Sequence, residues 1–194
     1  MDTFSHAAWG WVALRRAHPA LAWWGSLAGA APDLLFYVPY AIEQVTAGGL
    51  RSLLLANEPG VWKLDGPPLP PIMAAAYDSY YVYTHSLVLL AGALILLYAL
   101  GRRRWLWLGL PYGLHILMDI PTHERFAPQP FFPLSDWRFI GLSWGDPRIF
   151  WPQVALLVAA VIWSLRRRSA STERAGAAGS PAAPGRGAAG SRSD

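Results

Sequence analysis

The sequence predicts an all-α chain: an integral membrane bundle of about five helices, with an N-terminal helical hairpin followed by three membrane spans. Three observations lead there. Hydrophobic residues fill 54% of the 194 positions and charged residues only 14%, more apolar side chain than one soluble domain of this size can bury. The segment Tyr81 to Leu100, "YVYTHSLVLLAGALILLYAL", contains no Asp, Glu, Lys or Arg; at about 1.5 Å rise per residue it covers roughly 30 Å, the thickness of a hydrocarbon core. Finally, arginines gather as Arg15-Arg16, Arg102 to Arg104 and Arg166 to Arg168, each group at the edge of an apolar run. With a net charge of +4, that placement marks topology and not a nucleic-acid-binding stripe, so no nucleic acid partner is expected.

In chain order, Phe4 to Leu14 forms a first arm, "RRAHP" turns the chain, and Ala20 to about Val45 forms a second arm kinked at Pro32. Two arginines before an apolar run also outline a twin-arginine export signal, but "SHAAWGWVAL" ahead of them is apolar where such a leader is polar. The first arm is too short to cross a bilayer alone. Residues 47 to 76 form a Gly/Pro-rich loop. After the span at 81–100, "GRRR" turns the chain, and Trp105 to Thr122 must return antiparallel across so short a connection. Residues 123 to 149 make a second loop, aromatic enough to lie among membrane lipid headgroups. Pro152 to Leu165, joined by Ile149 to Trp151, is the third span, with Pro152 suited to its first turn. One membrane-embedded domain thus covers residues 1–168. Residues 169–194 have almost nothing to bury and are predicted to be a disordered tail. The positive-inside rule assigns the arginine-bearing turns and this tail to the cytoplasm of the plasma membrane, and both long loops to the exterior.

Along this path His6, Asp33, His85, His115 and Asp119 all fall at exterior helix ends. No cysteine is present, so a bound metal is held by imidazole and carboxylate. His115 and Asp119, four apart, share a helix face and can point at one divalent ion; zinc is the first expectation, with manganese and iron(II) also suited. A carboxylate inside an apolar helix costs a few kcal/mol unless it is paired, neutralised or bound to a cation. Asp33 and Asp119 are the candidate catalytic residues, able to take a proton from water or orient a ligating histidine.

Plainer roles stand beside each assignment. Asp119 can snorkel while His115 hydrogen-bonds a neighbouring helix, and Asp33 can cap the helix after Pro32. Thr84 or Ser86 can cap a span and leave His85 incidental, and His6 can simply be solvated near the terminus. His123 completes H-x3-D-x3-H if the helix survives Pro121, and otherwise lies in a loop. His18, at the cytoplasmic turn, reads as structural. Arg138 in "PLSDWRF" can clamp an anionic substrate group, pair with Asp136, or touch a lipid headgroup.

The pieces "SHAAWG", "GSLAGAAPD", "THS", "HILMD" and "FFPLSDWRF" occur in that order over residues 4 to 148. In these the chain resembles the YdjM family, described as LexA-binding, inner-membrane-associated predicted metal-dependent hydrolases. The order of ligands is also distantly similar to the zinc-dependent phospholipase C and P1 nuclease group. The resemblance implies a metal-activated water attacking an ester or phosphodiester, with His6, Asp33, His85, His115 and Asp119 as ligands. Better-known members resemble P-D-x-D-H and H-R-G-x-T-H-S where this chain has "PDLLF" and "YVYTHS". The missing ligands imply one or two ions, or His123 standing in. A site at headgroup depth favours a lipid or lipid-linked substrate. The alternative is a non-catalytic membrane scaffold or partner-binding protein pinned by a structural metal or a hydrogen-bond network. A transporter fits less well, because no internal repeat is visible and the ionisable residues crowd one end.

Overall fold

A computed structural model describes residues 1–55, 77–124 and 126–178, and within them the chain is entirely helical. Helix α1 is Thr3–Arg15, with Asp2 as N-cap accepting from the Ser5 amide. A 3₁₀ turn, Pro19–Leu21, leads into α2, Ala22–Leu55. A π-turn, Tyr77–Tyr81, continues into the single turn Val82–Thr84, here together α3. Helix α4 is Leu87–Ala99; a 3₁₀ segment, Arg103–Leu108, precedes α5, Gly109–Thr122; and α6 is Pro147–Ala178.

Helices α1 and α2 form the expected hairpin, and they pack backbone against backbone. A Cβ on Gly10 would collide with the Gly25 carbonyl oxygen, and one on Gly29 with the His6 carbonyl oxygen. Small residues at such a seam let two helices approach closely enough for dispersion contacts between main chains. Helix α2 does not stop near Val45. It carries Pro32 and Pro39 inside and runs on to Leu55, so positions 47–55 of the expected loop are helical; residues 56–76 lie outside the described residues.

The span expected to be continuous over 81–100 is broken instead, with α3 and α4 bent by 58° across Thr84–Leu87. Ser86 has extended backbone and caps α4, its Oγ accepting from the Leu89 amide at 3.1 Å. Its hydroxyl donates to the Phe132 carbonyl, and the Leu87 amide donates to the Pro130 carbonyl at 2.9 Å. Loop 130–132 thereby takes the hydrogen bonds that a continuous helix would have kept for itself. Helix α5 returns antiparallel to α4: a Cβ on Gly109 would meet Leu94, and one on Gly113 would meet Leu90. The small buried cluster Phe36, Tyr81, Val82 and Phe126 ties α2, α3 and the loop after α5 together.

Helix α6 begins at Pro147, behind Asp146, whose carboxylate takes the Arg148 amide at 2.8 Å; the paired guanidinium holds that carboxyl down at about 2. Pro147, not Pro152, is therefore the first-turn proline. The helix continues to Ala178, into the segment expected to be tail, and residues 179–194 lie outside the described residues. His18 lies on Trp107 with ring centres 3.9 Å apart, and Arg16 sits 3.8 Å over Trp163. These contacts bring the arginine-bearing turns after α1 and α4 to the same region as Trp163 of α6. Among the described residues, one helix, Pro147–Arg166, is long and apolar enough to cross a membrane, and the bent pair α3–α4 qualifies if counted as one span.

Candidate metal centre

Each sequence-predicted ligand has a distinct structural reason for its position. Asp33 follows Pro32 on α2, His85 sits at the break between α3 and α4, and His115 and Asp119 lie one turn apart on α5. All four are buried. The His85 Nε2 and His115 Nε2 atoms are 3.1 Å apart. Asp33 Oδ1 lies 3.8 Å from the first and 3.7 Å from the second, and Asp119 Oδ2 lies 3.6 Å and 3.1 Å from them. A tetrahedral ion with bonds of about 2.1 Å requires ligand atoms about 3.4 Å apart. The five separations bracket that value, and the four residues can hold a divalent metal.

The proton inventory leads to the same conclusion. His115 Nδ1 is 2.7 Å from the Gly29 carbonyl oxygen, and His85 Nδ1 is 3.1 Å from the Tyr81 carbonyl oxygen. A carbonyl can only accept, so His115 Nδ1 donates to Gly29 and the neutral ring turns its Nε2 lone pair inward; His85 Nδ1 has the Thr84 hydroxyl at 2.9 Å as well as the Tyr81 carbonyl, and its Nε2 faces the same point. Asp33 is oriented in the same way, because the Thr3 hydroxyl donates to Oδ2 at 2.6 Å and leaves Oδ1 facing the histidines. Asp119 Oδ2 is buried and accepts no hydrogen bond. With both rings neutral and protonated at Nδ1, two imidazole lone pairs and two carboxylate oxygens converge on one point. Such an arrangement is costly unless a cation sits at its centre.

Outer contacts complete the site. His6 is buried on α1, stacks on His115 with ring centres 3.6 Å apart, and places Nε2 2.8 Å from Asp119 Oδ1. That same oxygen accepts from the Met1 amino group at 2.6 Å. His6 thus touches the cluster through both His115 and Asp119 and is not one of the four convergent ligands. His123 is not on the helix: it is the C-cap of α5, in extended backbone, where the Pro121 and His123 carbonyls accept the Leu142 and Gly141 amides instead of continuing the helix. It still returns to the site, with Nδ1 3.5 Å from Asp119 Oδ1. Arg138 is exposed, forms no ion pair with Asp136 among the described residues, and does not line the cleft over the cluster.

That cleft, of about 430 Å³, reaches Asp33 and His123 and is walled by Phe36, Tyr37, Tyr81 and Trp144. It is the open side of an otherwise enclosed cluster. Three supporting groups escaped the sequence reading. The Gly29 and Tyr81 carbonyls have no residue-type signature, so no pattern could have revealed them. Thr3 could have been found, since it lies three residues before His6 on the same helix face.

Two expectations arise directly. Thr3→Val keeps every ligand but frees Asp33 to rotate; metal affinity should fall about 10–100-fold, with Thr3→Ser close to the parent, as read by chelator competition. Burial pushes the His123 imidazole down to about 4 from an ordinary 6.5. The folded state thus keeps it neutral, and the stabilisation is complete above about 6.5, declining as pH drops toward 4. Melting temperature against pH should show that decline, and His123→Asn should flatten it.

No family model matches the chain, and no curated protein or solved structure compared with it does so either.

Proposed function

We propose that the protein is a membrane-embedded, divalent-metal-dependent hydrolase acting on an ester or phosphodiester of a lipid or lipid-linked substrate. The observation that carries the reading is the convergence of four buried ligand atoms, from Asp33, His85, His115 and Asp119, within 4.8 Å of one another. A divalent ion there, zinc first among candidates, would supply Lewis acidity and bring the pKa of water toward neutrality. The chain's own contribution is positional. Gly29 and Tyr81 hold the imidazoles, Thr3 holds Asp33, and the aromatic cleft excludes bulk water while admitting a substrate beside Asp33. His6 at 2.8 Å and the Met1 amino group at 2.6 Å from Asp119 Oδ1 orient that carboxylate. The resemblance to the YdjM family supports the same reaction class.

The membrane reading rests on surface character. None of the residues of α4 is buried, although nearly all are apolar, and only 6% of the candidate span of α6 is buried. An apolar surface of that extent suits a hydrocarbon solvent. The arginine-bearing end would face the cytoplasm and the metal centre the exterior. A second reading, a scaffold pinned by a structural metal, is favoured by the near-complete burial of the ligands, since structural sites are closed.

Reconstituted protein should cleave a fluorogenic phospholipid or phosphodiester, lose that activity to a chelator, and regain it with zinc or manganese. Stoichiometric metal without turnover across ester and phosphodiester panels would select the scaffold.

A further inference from the structure

On the flank of α2 away from the cleft over the metal centre lies a second concavity, of about 550 Å³. Ala28 and Ala31 of α2 form one wall, and Leu90, Ala93, Leu94 and Leu97 of α4 form the other. Its volume falls within the usual range for small-molecule sites, and its lining is almost entirely apolar. Small side chains facing leucines leave a trough that runs along α4 for about 10 Å, from Leu90 to Leu97. Trp24 and Trp105 close one end, meeting edge to face with centres 5.5 Å apart.

That closed end is the arginine end. The chain leaves Leu97, turns at Gly101 in the left-handed region, and presents Arg102, Arg103 and Arg104 before returning through Trp105. All three arginines are exposed, and among the described residues none pairs with a carboxylate. Arg103 lies 5.2 Å from the Tyr98 ring centre and Arg104 5.9 Å from that of Trp105, so both guanidinium groups are held beside the end of the trough. A hydrocarbon-sized trough capped by three uncompensated cations matches one ligand chemistry, an acyl chain joined to an anionic phosphate.

We propose that the trough and the Arg102–Arg104 turn bind one anionic phospholipid of the cytoplasmic leaflet, with an acyl chain between Ala28 and Leu94 and the phosphate on the arginines. This rests on the membrane-embedded reading and is independent of the metal centre. The lipid is a fixed cofactor of the fold and not the substrate, because the metal centre opens on the other flank of α2.

The test is native mass spectrometry of the full chain in detergent, offered phosphatidylglycerol or phosphatidylcholine with identical acyl chains. The parent should retain one phosphatidylglycerol with about tenfold or greater preference. R102Q/R103Q/R104Q should bind both lipids equally, and R102K/R103K/R104K should restore the preference. A93W, which fills the trough at an exposed position, should lose both lipids while keeping its circular dichroism. D119A should bind phosphatidylglycerol like the parent, which separates this site from the metal centre. Equal retention of the two lipids by the parent, unchanged retention by A93W, or full competition by glycerol phosphate would overturn the proposal. So would a chain dimer in place of bound lipid. A chain that stays in aqueous solution without detergent would remove the membrane reading itself.

Discussion

Asp119→Ala should abolish stoichiometric metal binding. Elemental mass spectrometry of the purified parent should find about one divalent ion per chain, while D119A and H115A should hold almost none at the same free-metal concentration. The loss should exceed the roughly 10–100-fold typical of a removed supporting hydrogen bond, because a ligand goes rather than its orienting partner. Asp119 is the most exposed to this test for a geometric reason. One of its oxygens faces both histidines and the other takes His6 and the Met1 amino group, so its removal unpairs groups on two sides. Without it, the two inward Nε2 lone pairs remain 3.1 Å apart with only Asp33 to share a cation. A parent that stays metal-free in metal-replete medium would reduce the cluster to a packing network.

Gly29→Leu should destabilise the fold by about 3 kcal/mol. Already at Cβ the new side chain meets the His6 carbonyl oxygen, which belongs to the backbone of α1 and cannot rotate away. The helices must separate, and the separation moves the Gly29 carbonyl that fixes His115 Nδ1. Melting temperature and metal retention should therefore fall together, a coupling that a purely structural seam would not produce. Gly92→Ala provides the contrast. Nothing lies within 4 Å of the added methyl, so the gain in helix propensity should leave stability equal or slightly raised.

Ligand types were readable because imidazole and carboxylate stand out against an apolar frame. The i, i+4 spacing of His115 and Asp119 placed both on one face before any coordinates existed. The plainer readings of Asp33 and His85 are displaced by burial together, a fact no local pattern contains. Ser86 does cap α4, as the sequence allowed, yet the cap is what turns His85 into the site. Two of the arginine groups mark helix ends, Arg15-Arg16 after α1 and Arg102 to Arg104 after α4, whereas α6 runs through Arg166 to Arg168 to Ala178.

By itself, the sequence determined an all-helical chain, the hairpin of α1 and α2, the antiparallel return of α5, and the choice of nitrogen and oxygen ligands. These follow from periodicity, residue chemistry and short connections, which are local. Tertiary structure alone decided that α2 runs through two prolines, that the apolar segment at 81–100 breaks at His85, and that the Gly29 carbonyl lies against His115 Nδ1. Each of those depends on where another segment's polar groups come to rest: the Phe132 and Pro130 carbonyls at α4, and the Gly29 carbonyl on His115. A carbonyl is the same in every residue, so its partner is known only once the chain has folded.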